Sequence, residues 1–478
     1  MFSILTIHSK VDKSHINYSL LLFTLVIFIA VFGFAIFSDG MFCDGLFYAA
    51  VSNNYAHHIG TFWDLKYTTP FHPNFTDQPP LAIFLQAQFY KVLGDSIYVE
   101  RFYCFLFALL NIYMIKKIWV LVADKDRDLF WLPVLVWIIF PLTPWAFQNN
   151  LMEVTMSAFD LLAVYFIIKG CRNNSHLLLI LGGFFTFCAG FSKGFQGLFP
   201  LIAPVLYWIV YRHVNFTKGV AQFISVLIFP VDTIAILYSI PVSHTSLQQY
   251  LEHRISGTFN HLEDTTTSHF SILGKLVFHL LIPGIPLLIL WFFMRRRVPD
   301  QTTDRKAIFF FFLVGMSASV PLMITLEQRE FYLTTSLPYY ALVISLLALP
   351  FVRQSLVLLP DISRIRNLVN MVLIMVSIIL IALVALNSSR IKREKEIVAD
   401  LYIFKKILPE TSTVSISPEL NDWNYYAYFM RYCRVNLDDK SKQRYYVSEI
   451  GAQLPSDTCY RKMDLPLKKF TLYECKSF

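Results

Sequence analysis

Charge is scarce in this chain. Asp, Glu, Lys and Arg make up 15% of its 478 residues against 55% apolar ones, and mean hydropathy is +0.51, a balance that excludes an ordinary soluble globular domain. Cysteine is sparse too: the seven present include no Cys-x-x-Cys spacing, which argues against a cysteine-held metal cluster. No His-Glu-x-x-His run occurs, so no zinc-hydrolase signature is present. No small-residue cleavage site follows the first apolar stretch, which is expected to stay as an anchor. The formal charge of +8 is scattered over loop ends, so no nucleic-acid partner is expected.

What is abundant is apolar sequence in pieces of membrane length. Stretches of about 16 to 24 residues run near Asn17 to Phe37, Tyr98 to Val122, Leu129 to Phe147, Val154 to Ile168, His176 to Phe191 and Gly197 to Tyr211. They continue near Val220 to Ile240, Ile272 to Met294, Ala307 to Leu326, Phe331 to Pro350 and Asn367 to Leu386. The chain is expected to be mainly α and polytopic, with about eleven to thirteen spans. Leu81 to Leu93 reads as an amphipathic interfacial helix, because Pro79 and Pro80 suit a helix start and Gln86, Gln88 and Lys91 interrupt its apolar face.

Basic residues set the orientation. Lys10 and Lys13 precede the first span, Lys116, Lys117, Lys125 and Arg127 follow the second, and Lys169 and Arg172 follow the fourth, so these ends are expected inside. Arg212, Lys218, Arg295 to Arg297, Arg353, Arg364 and Arg366 fit the same alternation. The long loops 38–98 and 241–271 then lie outside, and the first of them holds Asp39, Asp44, Asp64 and Asp77 but few cations. A site on that face has no direct access to cytosolic nucleotide sugars or ATP.

Residues 1–387 read as the transmembrane domain and 388–478 as a small external α/β domain, opened by the charged run at Arg390. Within it, Glu394 to Leu408 and Trp423 to Tyr432 read as helices, and Thr413 to Ile416, Tyr445 to Ser448 and Phe470 to Tyr473 as strands. Cys433, Cys459 and Cys475 allow one disulfide there.

Several polar residues stand out. Asp44 opens a segment that reads as an amphipathic helix and is either a helix cap or a membrane-facing general base. Asp77, before Pro79 and Pro80, has the same two readings, cap or site carboxylate. Lys193, Arg329 and Arg101 lie at external span ends where orientation asks for no cation, so each is a candidate for an anionic partner or a plain local contact. The second loop carries Glu252, His253, Arg254, His261, Glu263, Asp264 and His269 without metal-site spacing.

Taken in order, Asp44 with Tyr48-Ala49, Asp77-Gln-Pro-Pro-Leu, Leu93-Gly94, Glu100-Arg101-Phe102, Glu153, Ser192-Lys193-Gly194, Glu252-His253, His269 and Arg329-Glu-Phe-Tyr-Leu resemble the polyprenyl-phosphate-sugar glycosyltransferases of the membrane C superfamily. The similarity is to protein O-mannosyltransferases and the lipid A aminoarabinose transferase in particular. It implies that Asp44 is the general base and that Asp39 and Asp64 are loop solvation. The run at Asp77 usually reads Glu-Lys-Pro-Pro-Leu or Glu-His-Pro-Pro-Leu, so Asp77 replaces Glu and Gln78 replaces a cation; Leu46 and Phe47 stand where the family often has Arg. Phosphate binding accordingly falls to Lys193, Arg329, Arg101 and Arg254. In the aminoarabinose transferase the residues matching Asp77 and His269 can hold a divalent metal, and the resemblance extends that set to this chain; it implies no other cofactor.

The expected activity is transfer of a sugar from a polyprenyl-phosphate donor to a lipid, glycan or protein acceptor, by inverting displacement, with membrane lipids as surroundings. The expected location is a bacterial inner membrane with the site facing the periplasm or exterior. Rival readings are a polysaccharide ligase or polymerase using a lipid diphosphate, a lipid or sugar transporter, and an inactive assembly subunit. A transporter would show matched repeats and buried charge at mid-membrane.

Overall fold

The computed structural model describes residues 17–70, 72–259, 264–296, 304–358, 363–387, 391–452 and 459–476. Lys10, Lys13, His261, Glu263, Arg297 and Arg390 lie outside them. Helix α1 (Asn17–Phe37) leads into the first loop. There α2 (Cys43–Ala56) and α3 (Leu81–Leu93) flank a three-stranded antiparallel sheet of β1 (Gly60–Thr61), β2 (Asp64–Thr68) and β3 (His72–Asn74). The bundle continues with α4 (Val99–Val122), α5 (Trp131–Ile139), α6 (Leu142–Gln148), α7 (Met152–Asn173), α8 (His176–Lys193), α9 (Ala203–Tyr211) and α10 (Phe216–Ser239). It closes with α11 (Pro241–Phe259), α12 (Ser271–Met294), α13 (Arg305–Ser319), α14 (Leu337–Leu358) and α15 (Ser363–Asn387).

Eight described helices are long and apolar enough to cross a membrane: α1, α4, α7, α8, α10, α12, α13 and α14. The stretch expected as one span from Leu129 to Phe147 is instead α5 and α6, bent by 76°. Pro141 causes the break by forcing Phe140 into extended backbone (φ −59°, ψ 118°). Residues 195–211 and 370–383 are shorter apolar helices, the former starting as a 3-10 segment around Pro200. Every expected apolar stretch is therefore helical, but not every one is a full crossing.

The bundle core is aromatic and aliphatic, with Trp119, Trp137, Phe140, Phe310, Phe311 and Tyr339 fully buried. A second core has an unexpected membership. Leu46, Phe47, Val51 and Ile83 of the first loop pack into one cluster with Val398, Leu401, Phe404, Tyr428 and Phe429 of the carboxyl-terminal region. The cap and the first loop thus share their burial, and α2, expected to be amphipathic, is buried along Gly45–Asn54 because both sides are covered. Helix α3 is exposed only over its last turn, residues 91–93, and Gln86, expected to interrupt its apolar face, is buried and donates to Asn150.

In the cap, α16 (Lys395–Ile407) and α17 (Trp423–Cys433) accompany a five-stranded sheet in the order β5-β4-β6-β8-β7. Its strands are β4 (Thr413–Ile416), β5 (Asn436–Asp438), β6 (Tyr445–Glu449), β7 (Tyr460–Lys462) and β8 (Phe470–Cys475). β4 is parallel to β5 and β6, while β8 is antiparallel to β6 and β7. A Cys459–Cys475 disulfide joins the start of β7 to the end of β8, and Cys433 stays free and buried.

Two polar latches fix the cap. Arg431 of α17 pairs with Glu100 at the start of α4 (Nη2 to Oε2, 2.9 Å), and Tyr90 donates to the same carboxylate at 2.7 Å. Asp39, expected to be loop solvation, is 6% exposed. It accepts from the Tyr402 hydroxyl at 2.6 Å and from Tyr432, while its backbone pairs with the linker at Ile391 and Lys392. Asp64 is exposed and paired with Lys66, in keeping with its expected role.

Candidate active site

The site begins where α2 is clamped. The Phe42 N–H donates to Asn149 Oδ1 (2.8 Å), and Asn150 Nδ2 donates to the Gly45 carbonyl (2.9 Å). Both asparagines sit at the turn between α6 and α7. This contact needs glycine at 45, since a Cβ would collide with the Asn149 carbonyl. Asp44 is thereby held in the first turn of α2, where the residue ahead of the helix is Phe42 and no side chain caps it. The cap reading of Asp44 fails; the carboxylate faces a cavity instead.

That cavity, of about 500 Å³, is lined by Asp44, Gln78, Lys193, Arg254, Glu327 and Arg329, and its wall also includes Asp77, Tyr48, Tyr332, Phe47 and Trp423. Lys193 ends α8 and forms a buried ion pair with Glu153 of α7, its ammonium 4.4 Å from the Tyr332 ring centroid and 5.1 Å from that of Phe331. The next residue, Gly194, has φ +105°, which returns the chain beneath Tyr250. Arg254 of α11 reaches Glu327 Oε2 at 3.3 Å. Arg329 is the most open cation, 43% exposed and 4.0 Å from Glu327 Oε1.

Gln78 replaces a family cation but takes a part in placing another. With its amide turned so that nitrogen donates to the Lys193 carbonyl (2.7 Å), its oxygen accepts from Arg254 Nη2 (2.7 Å). A neutral side chain thus ties two cationic elements together.

Burial is the largest influence on Asp44 and pushes its pKa up; the Cys43 thiol, Arg329 and Lys193 pull the other way without cancelling it. Cys43 donates to Asp44 Oδ1 at 3.4 Å. Its own pKa is pushed up to about 12 by burial and by Asp44, so the thiol is a neutral donor. A poorly solvated carboxylate facing three cations across a cavity can take a proton while a leaving anion is stabilised opposite.

Not every expected residue arrives here. Arg101 is 4% exposed and donates to the Gly40 carbonyl at 2.8 Å; it fastens the first loop and does not line the cavity. Its sequence neighbour Glu100 pairs with Arg431 instead. Asp77 lines the cavity, but Pro80 precedes α3 and no side chain caps that helix, so its cap reading also fails. Asp77 Oδ1 lies 3.5 Å from His72 Nε2 and 3.8 Å from His253 Nε2, whereas His269 Nδ1 is bonded to the Met323 carbonyl (2.7 Å). Among the described residues no group of three or more His, Cys, Asp or Glu could hold a metal ion. Asp77 thus lines the cavity and His269 does not.

Glu327 is legible as a local partner of Arg329, which it is, but the sequence does not single out Tyr332, Trp423, Asn149 or Asn150 as lining or clamping residues. The polar trio Gln148-Asn149-Asn150 inside an apolar region was the one available signal for the clamp.

A helical bundle whose first loop carries the polar cavity, roofed by a small α/β cap, is an arrangement this chain shares with solved structures of low sequence identity. ArnT from Cupriavidus metallidurans bound to undecaprenyl phosphate is similar over 95% of this chain and 97% of that one, with a TM-score of 0.63 at 13% identity. The apo form of the same protein matches over the same shares, also at 0.63, with 14% identity. The archaeal oligosaccharyltransferase AglB from Archaeoglobus fulgidus, in complex with an inhibitory peptide and a dolichol-phosphate, is similar over 92% of this chain and 70% of that one, with a TM-score of 0.53 at 12% identity. No protein-family model and no curated protein matches the sequence.

Proposed function

We propose that this protein transfers a sugar from a polyprenyl-monophosphate donor to an acceptor hydroxyl on the non-cytoplasmic face of the membrane. The observation that carries the reading is the desolvated Asp44 carboxylate facing Lys193, Arg254 and Arg329 in one cavity. Asp44 removes the proton as the acceptor oxygen attacks the anomeric carbon. The bond to phosphate breaks on the opposite side, so configuration inverts, and Arg254 and Arg329 hold the departing phosphate. Lys193, already paired with Glu153, contributes field more than direct coordination.

A groove beside the cations supports a lipid donor. About 210 Å³ in volume, it is lined by Pro79 and Gly194, the chain neighbours of Gln78 and Lys193, and by Tyr250, one helical turn before Arg254, together with Phe187, Phe191 and Leu237. Its apolar wall suits an isoprenoid tail whose phosphate rests at the cavity. The likenesses to structures holding undecaprenyl phosphate and dolichol-phosphate point the same way.

Orientation rests on the opposite end of the bundle, where Arg353 pairs with Asp126, Arg172 donates to the Leu121 carbonyl, and Arg212 and Arg295 stack on Trp208 and Trp291. The test is transfer by purified protein in proteoliposomes, with monophosphate-linked and diphosphate-linked sugars supplied separately. Turnover of the monophosphate donor is expected; turnover of diphosphate-linked glycan alone would replace this reading with a ligase.

A further inference from the structure

A second cavity, of about 360 Å³, lies where the first-loop sheet meets the cap. Its polar wall is made by Asn54, Lys66, Thr69, Thr411, Arg434 and Asn436. Ile59, Pro73 and Met430 give it apolar surface, and Tyr67 closes one side.

The hydrogen-bonding state of this wall indicates what it would take. Asn436 spends its amide oxygen on Thr68 Oγ1 (2.9 Å) and the Thr69 N–H (3.0 Å), leaving its NH2 group to donate. Asn54 does the reverse, donating to the carbonyls of Lys66 (3.2 Å) and Tyr67 (2.8 Å) and keeping its oxygen as acceptor. Arg434 Nε is buried without a protein partner. A buried polar atom left unpaired at a cavity wall is costly unless a ligand or water meets it.

Both cations of the wall already have carboxylates: Lys66 lies 2.7 Å from Asp64, and Arg434 lies 3.2 Å from Glu410. A strongly anionic ligand would compete with those pairs. A polyhydroxylated ligand would not, because each hydroxyl both donates and accepts and so matches the mixture of free donors and acceptors, while its C–H faces suit the apolar wall.

Position gives the cavity a role. The Tyr67 ring lies 4.3 Å from Phe47, edge to face, and 6.5 Å from Trp423, nearly parallel. Phe47 and Trp423 both line the cavity that holds Asp44. One aromatic layer separates the two spaces.

We propose that the second cavity is a saccharide subsite for the acceptor, which grips a glycan or glycolipid head group so that a neighbouring hydroxyl reaches Asp44. This rests on the reading of the first cavity as the transfer site. The acceptor class it selects is carbohydrate rather than peptide.

The test uses the full chain in lipid nanodiscs, with two probes measured separately. Saturation-transfer NMR reads binding of a panel of defined oligosaccharides of hexose and N-acetylhexosamine units, and a second titration reads undecaprenyl phosphate. The wild type is expected to bind at least one saccharide. Thr69→Trp, which fills the cavity from an exposed position, is expected to weaken that binding at least about tenfold, and Lys66→Ala to weaken it less. Both variants should bind undecaprenyl phosphate as the wild type does. Saccharide binding that Thr69→Trp leaves intact would overturn the proposal, as would a wild type that binds undecaprenyl phosphate but no member of the panel. Loss of undecaprenyl phosphate binding by the wild type would count against the transfer-site reading instead.

Discussion

At the scale of single residues, the account turns on the environment of Asp44. A carboxyl whose pKa is raised by folding favours its protonated form, so its contribution to stability is complete below the unfolded-state pKa and is lost as pH rises through the raised value. The wild type should therefore lose stability relative to Asp44→Asn as pH rises above the ordinary carboxylate range. Thermal melts of the two proteins at several pH values check this, and a constant difference would contradict it. Activity has the opposite slope: the base form fills only as pH rises, so the acid limb of the transfer rate should sit above an ordinary Asp pKa of about 4.

Gln78 carries a second prediction at this scale. Gln78→Ala removes the amide that accepts from Arg254, a bond to a charged group worth about 1.5–3 kcal/mol, so affinity for undecaprenyl phosphate should fall by about tenfold or more. Equilibrium binding measures it; unchanged affinity would mean that Arg254 needs no support. Residue chemistry was legible in the sequence where a polar group stood out, as for Asp44, Lys193 and Arg329, whereas Arg254, in a loop already polar, is singled out only through the family resemblance. It misled where direction mattered, because Arg101 lies at the start of a helix and sequence does not say which neighbour it faces. It was silent on Tyr332 and Trp423, two aromatics among the many of a membrane protein.

At the scale of elements, hydrophobic length read the long helices and missed the short strands. Thr413–Ile416 alternates within a clear strand pattern, whereas the three-residue pieces Asn436–Asp438 and Tyr460–Lys462 owe their shape to neighbours already in the sheet. Apolar composition, the same on both sides of Pro141, hid the bend between α5 and α6. The latch between α17 and α4 belongs to this scale as well. Arg431→Ala would leave Glu100 buried without its partner, a change that costs about 3–5 kcal/mol. Calorimetry of the variant should show a lower melting transition, and faster proteolysis in the cap than in the bundle should accompany it.

At the scale of the whole molecule, the cap is part of the site. Trp423 from α17 lines the cavity, and the cap's core is continuous with that of the first loop. Residues 391–478 expressed alone should then expose the face that meets Leu46, Phe47 and Val51 and show no cooperative unfolding; a sharp melt of the isolated fragment would show that the cap is self-sufficient. Fold likeness at 13–14% identity is physically reasonable, because lipid-facing and core aliphatic residues interchange freely while a few clamped polar positions hold the geometry.

The most direct measurement follows the fate of a chemically defined, radiolabelled polyprenyl-phosphate sugar in proteoliposomes holding wild-type protein or Asp44→Asn, each verified as folded. The wild type is expected to move label to acceptor glycan and release polyprenyl phosphate, and Asp44→Asn to lose about 10²- to 10⁴-fold in rate while still binding the donor. Full turnover by Asp44→Asn would contradict the assignment of Asp44 as the base on which the account stands.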